Sequence, residues 1–270
     1  GNQWVAAECD VSIRPGWFYH PEQDSLVKPP EQLVDLYYRS VGHNATLLLN
    51  FPVDRDGLIH PVDSANAVRF HQMIQKELAT NLVAGIVPQV SDERGGDYVA
   101  SALTDDDYDT YWATADSVTT ADITFSFSSP TRMNRMLLQE YIPLGQRVKA
   151  FTVEYRDASG DWQPVVLNEE TTTIGYKRLL RFSSVVSDGI RIRITDARGP
   201  LCINNIGVYD AGENADQLFE AIPTTQMQSL PFTLSGVKPE EAAFASDRNE
   251  KTTCFVDSDL LTIDLGSERF

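Results

Sequence analysis

Ala45-Thr46-Leu47-Leu48-Leu49-Asn50 is an almost uninterrupted apolar run closed by an amide. It lacks the in–out alternation of a half-solvated strand and reads instead as a strand of a parallel sheet buried on both faces. Working outward from it, Val11-Ser12-Ile13 reads as a second short strand, followed by the loop Arg14-Pro15-Gly16. Pro29-Pro30 then opens a helix in which Leu33, Leu36, Tyr37 and Val41 recur at helical spacing, and Gly42-His43-Asn44 stops it. Downstream, the Asp54–Gly57 turn leads to Pro61, which starts a helix with Ala67, Phe70, Ile74 and Leu78 on one stripe. Strand, loop, helix, strand, loop, helix is the order of βα units over residues 1–85. Two units cannot close a sheet, so further strands are expected ahead of residue 1.

From residue 88 to 211 the helical period gives way to period two. Ala121–Phe127 alternates, as do parts of Val148–Tyr155 and Ile190–Thr195, and Ile203–Tyr209 ends the region. Ala158-Ser159-Gly160-Asp161 marks a hairpin turn before Trp162. Short strands between turn signals predict an antiparallel β-sandwich. Residues 212–225 read as a linker. In residues 226–270, Leu260–Gly266 alternates again, which predicts the start of a second, incomplete sandwich module.

The chain has 270 residues, 42% hydrophobic and 23% charged, enough for about two globular domains. No stretch approaches the roughly 18 apolar residues of a membrane span. A formal charge of −17 makes a phosphate backbone a poor partner, which excludes nucleic acid and leaves neutral ligands such as glycans open. Cys9, Cys202 and Cys254 are odd in number and far apart; they form no disulfide framework and read as small buried hydrophobes. The oligomeric state is not encoded in any recognisable pattern.

Glu8-Cys9-Asp10-Val11-Ser12-Ile13-Arg14-Pro15-Gly16-Trp17-Phe18-Tyr19-His20 closely resembles a signature of bacterial α-L-fucosidases of glycoside hydrolase family 29, in the subgroup acting on α-1,3/1,4-linked fucose. Tyr37–Asn44, Leu47–Pro52 and Asp56–Ile59 continue the match in the same order. The resemblance implies that residues 1–85 are the C-terminal part of a catalytic (β/α)₈ TIM barrel, with the site at the carboxyl ends of its strands. It implies retaining hydrolysis by a nucleophilic Asp and an acid/base Glu. Their family contexts, Trp-x-Asp-Gly and Trp-x-Gly-Asn-Glu, do not occur here, so both carboxylates are expected upstream and this chain alone is not competent. No cofactor is implied for catalysis.

The same resemblance nominates substrate-binding residues. Trp17 is the strongest, since an indole on a pocket-side loop can stack on the C–H face and methyl group of fucose. Phe18 is expected to pack between loop and barrel. Arg14 either bonds a sugar hydroxyl, holds a catalytic carboxylate through a bidentate pair, or forms a rim salt bridge. Tyr19 and His20 are candidate donors to hydroxyls. Glu8 is a candidate neighbour of the leaving-group sugar or a hydrogen-bonded strand-end carboxylate. Asn50 touches sugar or orders the loops around it.

Ala102–Trp112 (ALTDDDYDTYW) resembles the early loop of discoidin-like, galactose-binding-like modules, the fold of coagulation-factor C domains, with Asp105, Asp107 and Thr110 on the pattern and Asp106 in place of a Gly. Such loops imply a structural Ca²⁺ held by oxygen ligands, the alternative being a solvated acidic turn. A Glu common near the final strand is replaced by Asn204 and Asn205. Asp247, Asn249 and Thr252 repeat the loop pattern, and Trp112 reads as core. Together the resemblances imply an extracytoplasmic (periplasmic or secreted) fucosidase acting on fucosylated glycans. The rival reading is a non-catalytic glycan-binding or adhesion protein built on discoidin-like modules.

Overall fold

The structure is a computed structural model and describes residues 4–167, 169–212, 233–239, 241–245 and 262–264. Two compact units divide the chain, residues 1–222 and 223–270. Among the described residues no helix is long and apolar enough to cross a membrane.

The first unit opens with strand β1 (Ala7–Ser12), helix α1 (Pro30–Ser40), strand β2 (Ala45–Asn50) and helix α2 (Pro61–Glu77). β1 and β2 are parallel, with Ala7 opposite Ala45 and Ser12 opposite Asn50. Each helix starts on a proline, whose fixed φ suits the first helical position and whose missing N–H is not needed there. Just past the end of α1, Gly42 is the one residue type that fits, since a Cβ there would collide with the Tyr38 carbonyl oxygen. The helices cover one face of the two strands, where Ile13, Leu33, Leu49, Phe51 and Phe70 pack together.

The other face is open. Glu8, Asp10, Thr46 and Leu48 lie on it, and Leu48 is 51% exposed. Among the described residues no layer packs on that side of Ala45–Asn50. β1 also begins four residues before Val11, at Ala7, where Ala7 and Cys9 alternate with Glu8 and Asp10.

The sandwich is antiparallel throughout. Its strands are β3 (Gln89–Val90), β4 (Trp112–Ala113), β5 (Ala121–Glu140), β6 (Val148–Arg156), β7 (Trp162–Pro164), β8 (Arg178–Ala197) and β9 (Cys202–Tyr209). They run in the order β4-β9-β5-β8-β6-β7, and β3 adds to β5. β5 and β8 are each 20 residues long. Register breaks between Ser126 and Thr131 and between Met133 and Arg135 let β5 serve two parts of the sheet. Its first part meets β3 and Ile190–Ile194 of β8; its second meets β9 and Arg178–Arg181. Inward side chains of both parts, among them Phe125, Met136, Leu138, Ile192 and Ile206, join one core with Trp112, which is fully buried. The hairpin expected before Trp162 is the β6–β7 turn, where the Asp157 carboxylate accepts from the backbone N–H groups of Ser159 and Asp161.

This core begins upstream of residue 88. Val83 is fully buried in it, and the Asn81 amide oxygen accepts from the N–H groups of Val83 and Val208. In loop 104–110, Asp106 has φ of 60°, the left-handed conformation that explains why the discoidin pattern places glycine there. Of the expected buried cysteines, Cys202 is buried, Cys9 only half-buried, and Cys254 lies outside the described residues.

The second unit contributes strands β10 (Thr233–Ser235) and β11 (Thr262–Asp264), paired antiparallel. β11 falls within the alternating stretch Leu260–Gly266. Most of the expected linker and the repeated loop at Asp247, Asn249 and Thr252 lie outside the described residues.

Helices and sandwich of the first unit are joined through buried charge. Arg135 Nε on β5 donates to Glu77 Oε2 on α2 at 3.0 Å, and the Tyr38 hydroxyl on α1 donates to the same oxygen at 2.7 Å. Arg181 on β8 donates to Asp35 on α1 at 2.6 Å, its guanidinium 4.7 Å from the Tyr38 ring centre. Nearby, His43 Nε2 lies 2.7 Å from the Glu169 carboxylate, and Asn44 exchanges two hydrogen bonds with Lys177. Arg135→Met should leave Glu77 buried without its cation and destabilise the first unit by about 3–5 kcal/mol, read from urea denaturation. By the same measurement, Asp106→Gly should stabilise by up to about 1 kcal/mol, since glycine adopts positive φ without steric cost.

Candidate functional site

Because β1 and β2 are parallel, the loops that follow Ser12 and Asn50 emerge at the same end of the sheet, and most of the nominated residues gather there. Ser12 Oγ donates to the Gly16 carbonyl at 2.7 Å, closing the first loop on itself. The Asn50 amide donates to Ser12 Oγ and to the Trp17 carbonyl, both at 3.1 Å. Asn50 thus ties the end of β2 to the loop that carries Trp17.

Arg14 is the anchor under that loop, held in salt bridges, one of the readings its sequence left open. Its side chain is fully buried. Nε and Nη2 donate to the two Asp63 carboxylate oxygens, each at 2.8 Å, in a bidentate fork. Nη1 reaches Asp24 at 2.9 Å, and the guanidinium lies 4.7 Å from the Tyr19 ring centre. Asp63 sits in the first turn of α2, where the helix dipole favours a carboxylate. Lys28 closes the base by donating to the carbonyls of Ser12 and Arg14, and desolvation lowers its pKa. With every polar atom of Arg14 facing inward, nothing of it is available to a ligand.

What the loop offers outward is aromatic. Trp17 is half exposed, and Phe18, expected to pack inward, is 78% exposed. Tyr19 is held between Arg14 and the His60 ring, 5.9 Å away, while His20 is exposed beside Glu22 at 3.7 Å. Glu8 is not part of this group. It is the second residue of β1, four residues before Ser12, so about 13 Å separates it from the loop end along the strand.

The loop after β2 adds a surface that residue-type reasoning passed over. Asp54 Oδ1 accepts from the N–H groups of Asp56 and Leu58, both at 2.9 Å, and Val53 bridges Ile59. This turn displays Val53, Leu58 and Ile59 at 55%, 64% and 47% exposure. Apolar residues flanking an Asp-x-Asp-Gly turn were its available signal.

On the sandwich, the nominated metal ligands face one another. Thr110 Oγ1 donates to Asp105 Oδ2 at 2.7 Å, Asp107 N–H to Asp105 Oδ1 at 3.0 Å, and Asp109 N–H to Asp107 Oδ1 at 2.9 Å. Among the described residues no three His, Cys, Asp or Glu side chains converge as a metal cluster. On β9, Asn204 is buried and its Oδ1 lacks a hydrogen-bond partner.

Residues 88–206 match the F5/8 type C domain. α-L-Fucosidase 1 of Arabidopsis thaliana is 36% identical over 214 residues, 77% of this chain and 41% of that protein. A candidate α-L-fucosidase from Bacteroides thetaiotaomicron superposes with a TM-score of 0.74 at 38% identity, over 78% of this chain and 46% of that one. The GH29 fucosidase of Ruminococcus gnavus, solved in complex with fucose, gives 0.72 at 35% identity, over 80% and 43%. The chain spans about two fifths of the length of the curated relatives it matches. Residues 88–206 are thus an F5/8 type C domain, in a chain whose homologues are GH29 α-L-fucosidases.

Proposed function

We propose that this chain is part of a retaining α-L-fucosidase that releases terminal α-1,3/1,4-linked fucose from extracytoplasmic glycans, and that β1-α1-β2-α2 are the last units of its (β/α)₈ barrel. The observation that carries this reading is similarity at 35% identity to a fucose-bound GH29 fucosidase over 80% of the chain, more than the sandwich alone supplies. The sheet geometry supports it. In such a barrel helices cover the outside and strand faces point inward, which is how the covered and open faces of β1–β2 are disposed.

Retaining hydrolysis needs two carboxyl groups about 5–5.5 Å apart, one attacking the anomeric carbon and one protonating the leaving oxygen. Both belong, in this reading, to barrel strands outside the chain. The residues here bind and shape. Trp17 presents its indole to the C–H face and methyl of fucose, Asn50 and Ser12 hold the loop that carries it, and Arg14 with Asp63 fixes the loop to α2. Tyr19 and His20 edge the same pocket.

The full-length protein should release fucose from Lewis-type oligosaccharides. Trp17→Ala should raise KM about tenfold with kcat little changed, the signature of lost uniform binding. Glycan binding without release would favour a non-catalytic adhesion protein, and unchanged kinetics would remove Trp17 from the pocket.

A structural Ca²⁺ at the Asp105–Thr110 loop belongs to the same proposal. Two carboxylates and a hydroxyl are oxygen donors of the right class for a hard cation, and the unpaired Asn204 Oδ1 is one more oxygen on the neighbouring strand. Saturating Ca²⁺ should raise Tm, by mass action, relative to chelator-treated protein. An unchanged Tm would leave the loop to its own hydrogen bonds.

A further inference from the structure

The end of the sandwich that bears the β6–β7 turn carries a cleft of about 420 Å³, within the range of small-molecule sites. Pro130, Arg156, Ala158, Val186 and Asp188 are among the residues that line it. Pro130 reaches its wall where β5 breaks register between Ser126 and Thr131. Arg156 is fixed from within the domain. Its Nε donates to Asp188 Oδ1 at 2.8 Å and its Nη2 to the Asp188 carbonyl at 3.4 Å, while the guanidinium lies 5.8 Å from the Trp162 ring centre. Gly189 makes room for this packing, since a Cβ there would lie 3.3 Å from both Arg156 Nε and the tip of the Trp162 ring. Among the described residues no hydrogen bond engages Arg156 Nη1 or Asp188 Oδ2, which leaves one donor and one acceptor side by side at the wall. The other carboxylate, Asp157, is committed to the turn: it accepts from the N–H groups of Ser159 and Asp161 and from the Gln163 amide.

The free groups decide what this wall can recognise. A hydroxyl both donates and accepts, so two neighbouring hydroxyls of a sugar match an Arg N–H and a carboxylate oxygen held side by side. Pro130, Ala158 and Val186, the last 63% exposed, supply apolar surface for the C–H face of a pyranose ring. Two carboxylates against one guanidinium leave the lining net negative, which disfavours a carboxylate or sulfate ligand. An extended peptide has no strand edge to join here. Arg156 pairs with Trp162 on β7, and Val186 and Ser187 pair with Arg132 and Thr131 on β5. We propose that this cleft is a binding site for a neutral sugar unit, with Arg156 and Asp188 as paired ligands to adjacent hydroxyls and Val186 as the contact to its C–H face. The site shares no residue with the loops after β1 and β2, so it stands independently of the fucosidase reading.

The test is titration of the isotope-labelled 270-residue chain with methyl galactoside, methyl mannoside and N-acetylglucosamine, and with methyl glucuronide as anionic comparator, followed by backbone amide NMR. At least one neutral sugar should shift the Ala158, Gly160 and Asp188 amides with a Kd of about 1–10 mM. The glucuronide should bind there at least about threefold more weakly. Asp188→Asn turns the free acceptor into a donor and should weaken binding at least about fivefold. Ala158→Trp, at an exposed turn position where folding is not at risk, should abolish it by filling the cleft; this variant decides the question even if Asp188→Asn does not fold. No shift at these amides with any neutral sugar, glucuronide bound as tightly, or undiminished affinity in Ala158→Trp would overturn the proposal. So would shifts there with N-acetyl-trialanine amide alone, which would make the cleft a peptide site.

Discussion

The first unit rests on a buried ionic junction. Glu77 on α2 and Asp35 on α1 are 6% exposed each, and their cations, Arg135 and Arg181, come from the sandwich strands β5 and β8. Tyr38 lies beside both guanidiniums, and burial together with Glu77 holds its hydroxyl well above its ordinary pKa. Such a junction contributes little net stability over an apolar one, because each ion must be desolvated. Its effect is orientation: a helix pair that slid or rotated against the sheet would leave a charge buried and unpaired. The βα segment is thereby fixed to the F5/8 type C domain, and Gly42, against which Leu179 packs, has no room for a side chain.

The same chemistry recurs where β1 ends. Arg14 and Asp63 are a fully buried bidentate pair, and they lock the loop after β1 to the start of α2. Function follows from what that lock consumes. The polar residues of the loop, Ser12, Arg14 and Asn50, are spent on holding backbone, so the surface offered to a ligand is the exposed aromatic and aliphatic set around Trp17, Phe18, Leu58 and Ile59.

In the sandwich, buried charge again shapes a surface. Glu140 is nearly fully buried, and desolvation raises its pKa although three N–H groups support the ionised form. By gathering the N–H groups of Arg147, Val148 and Gly175 it draws two loops together. The Arg147 guanidinium in turn donates to the Leu144 and Pro200 carbonyls.

Periodicity and turn residues determined the succession of βα units, the switch to antiparallel strands and the turn before Trp162, because those depend on residue spacing and type along a local backbone. It did not reveal that β1 starts at Ala7, four residues before Val11, or that β5 runs on through Pro130 into Arg132–Glu140, where a register break takes the place of regular pairing. Nor did it separate Arg14, fully buried, from Phe18, largely exposed, since residue type suggests the reverse. The sequence by itself determined which segments are strands and helices. Only the tertiary structure decided which side chains face inward, because burial depends on what packs against a residue from distant parts of the chain.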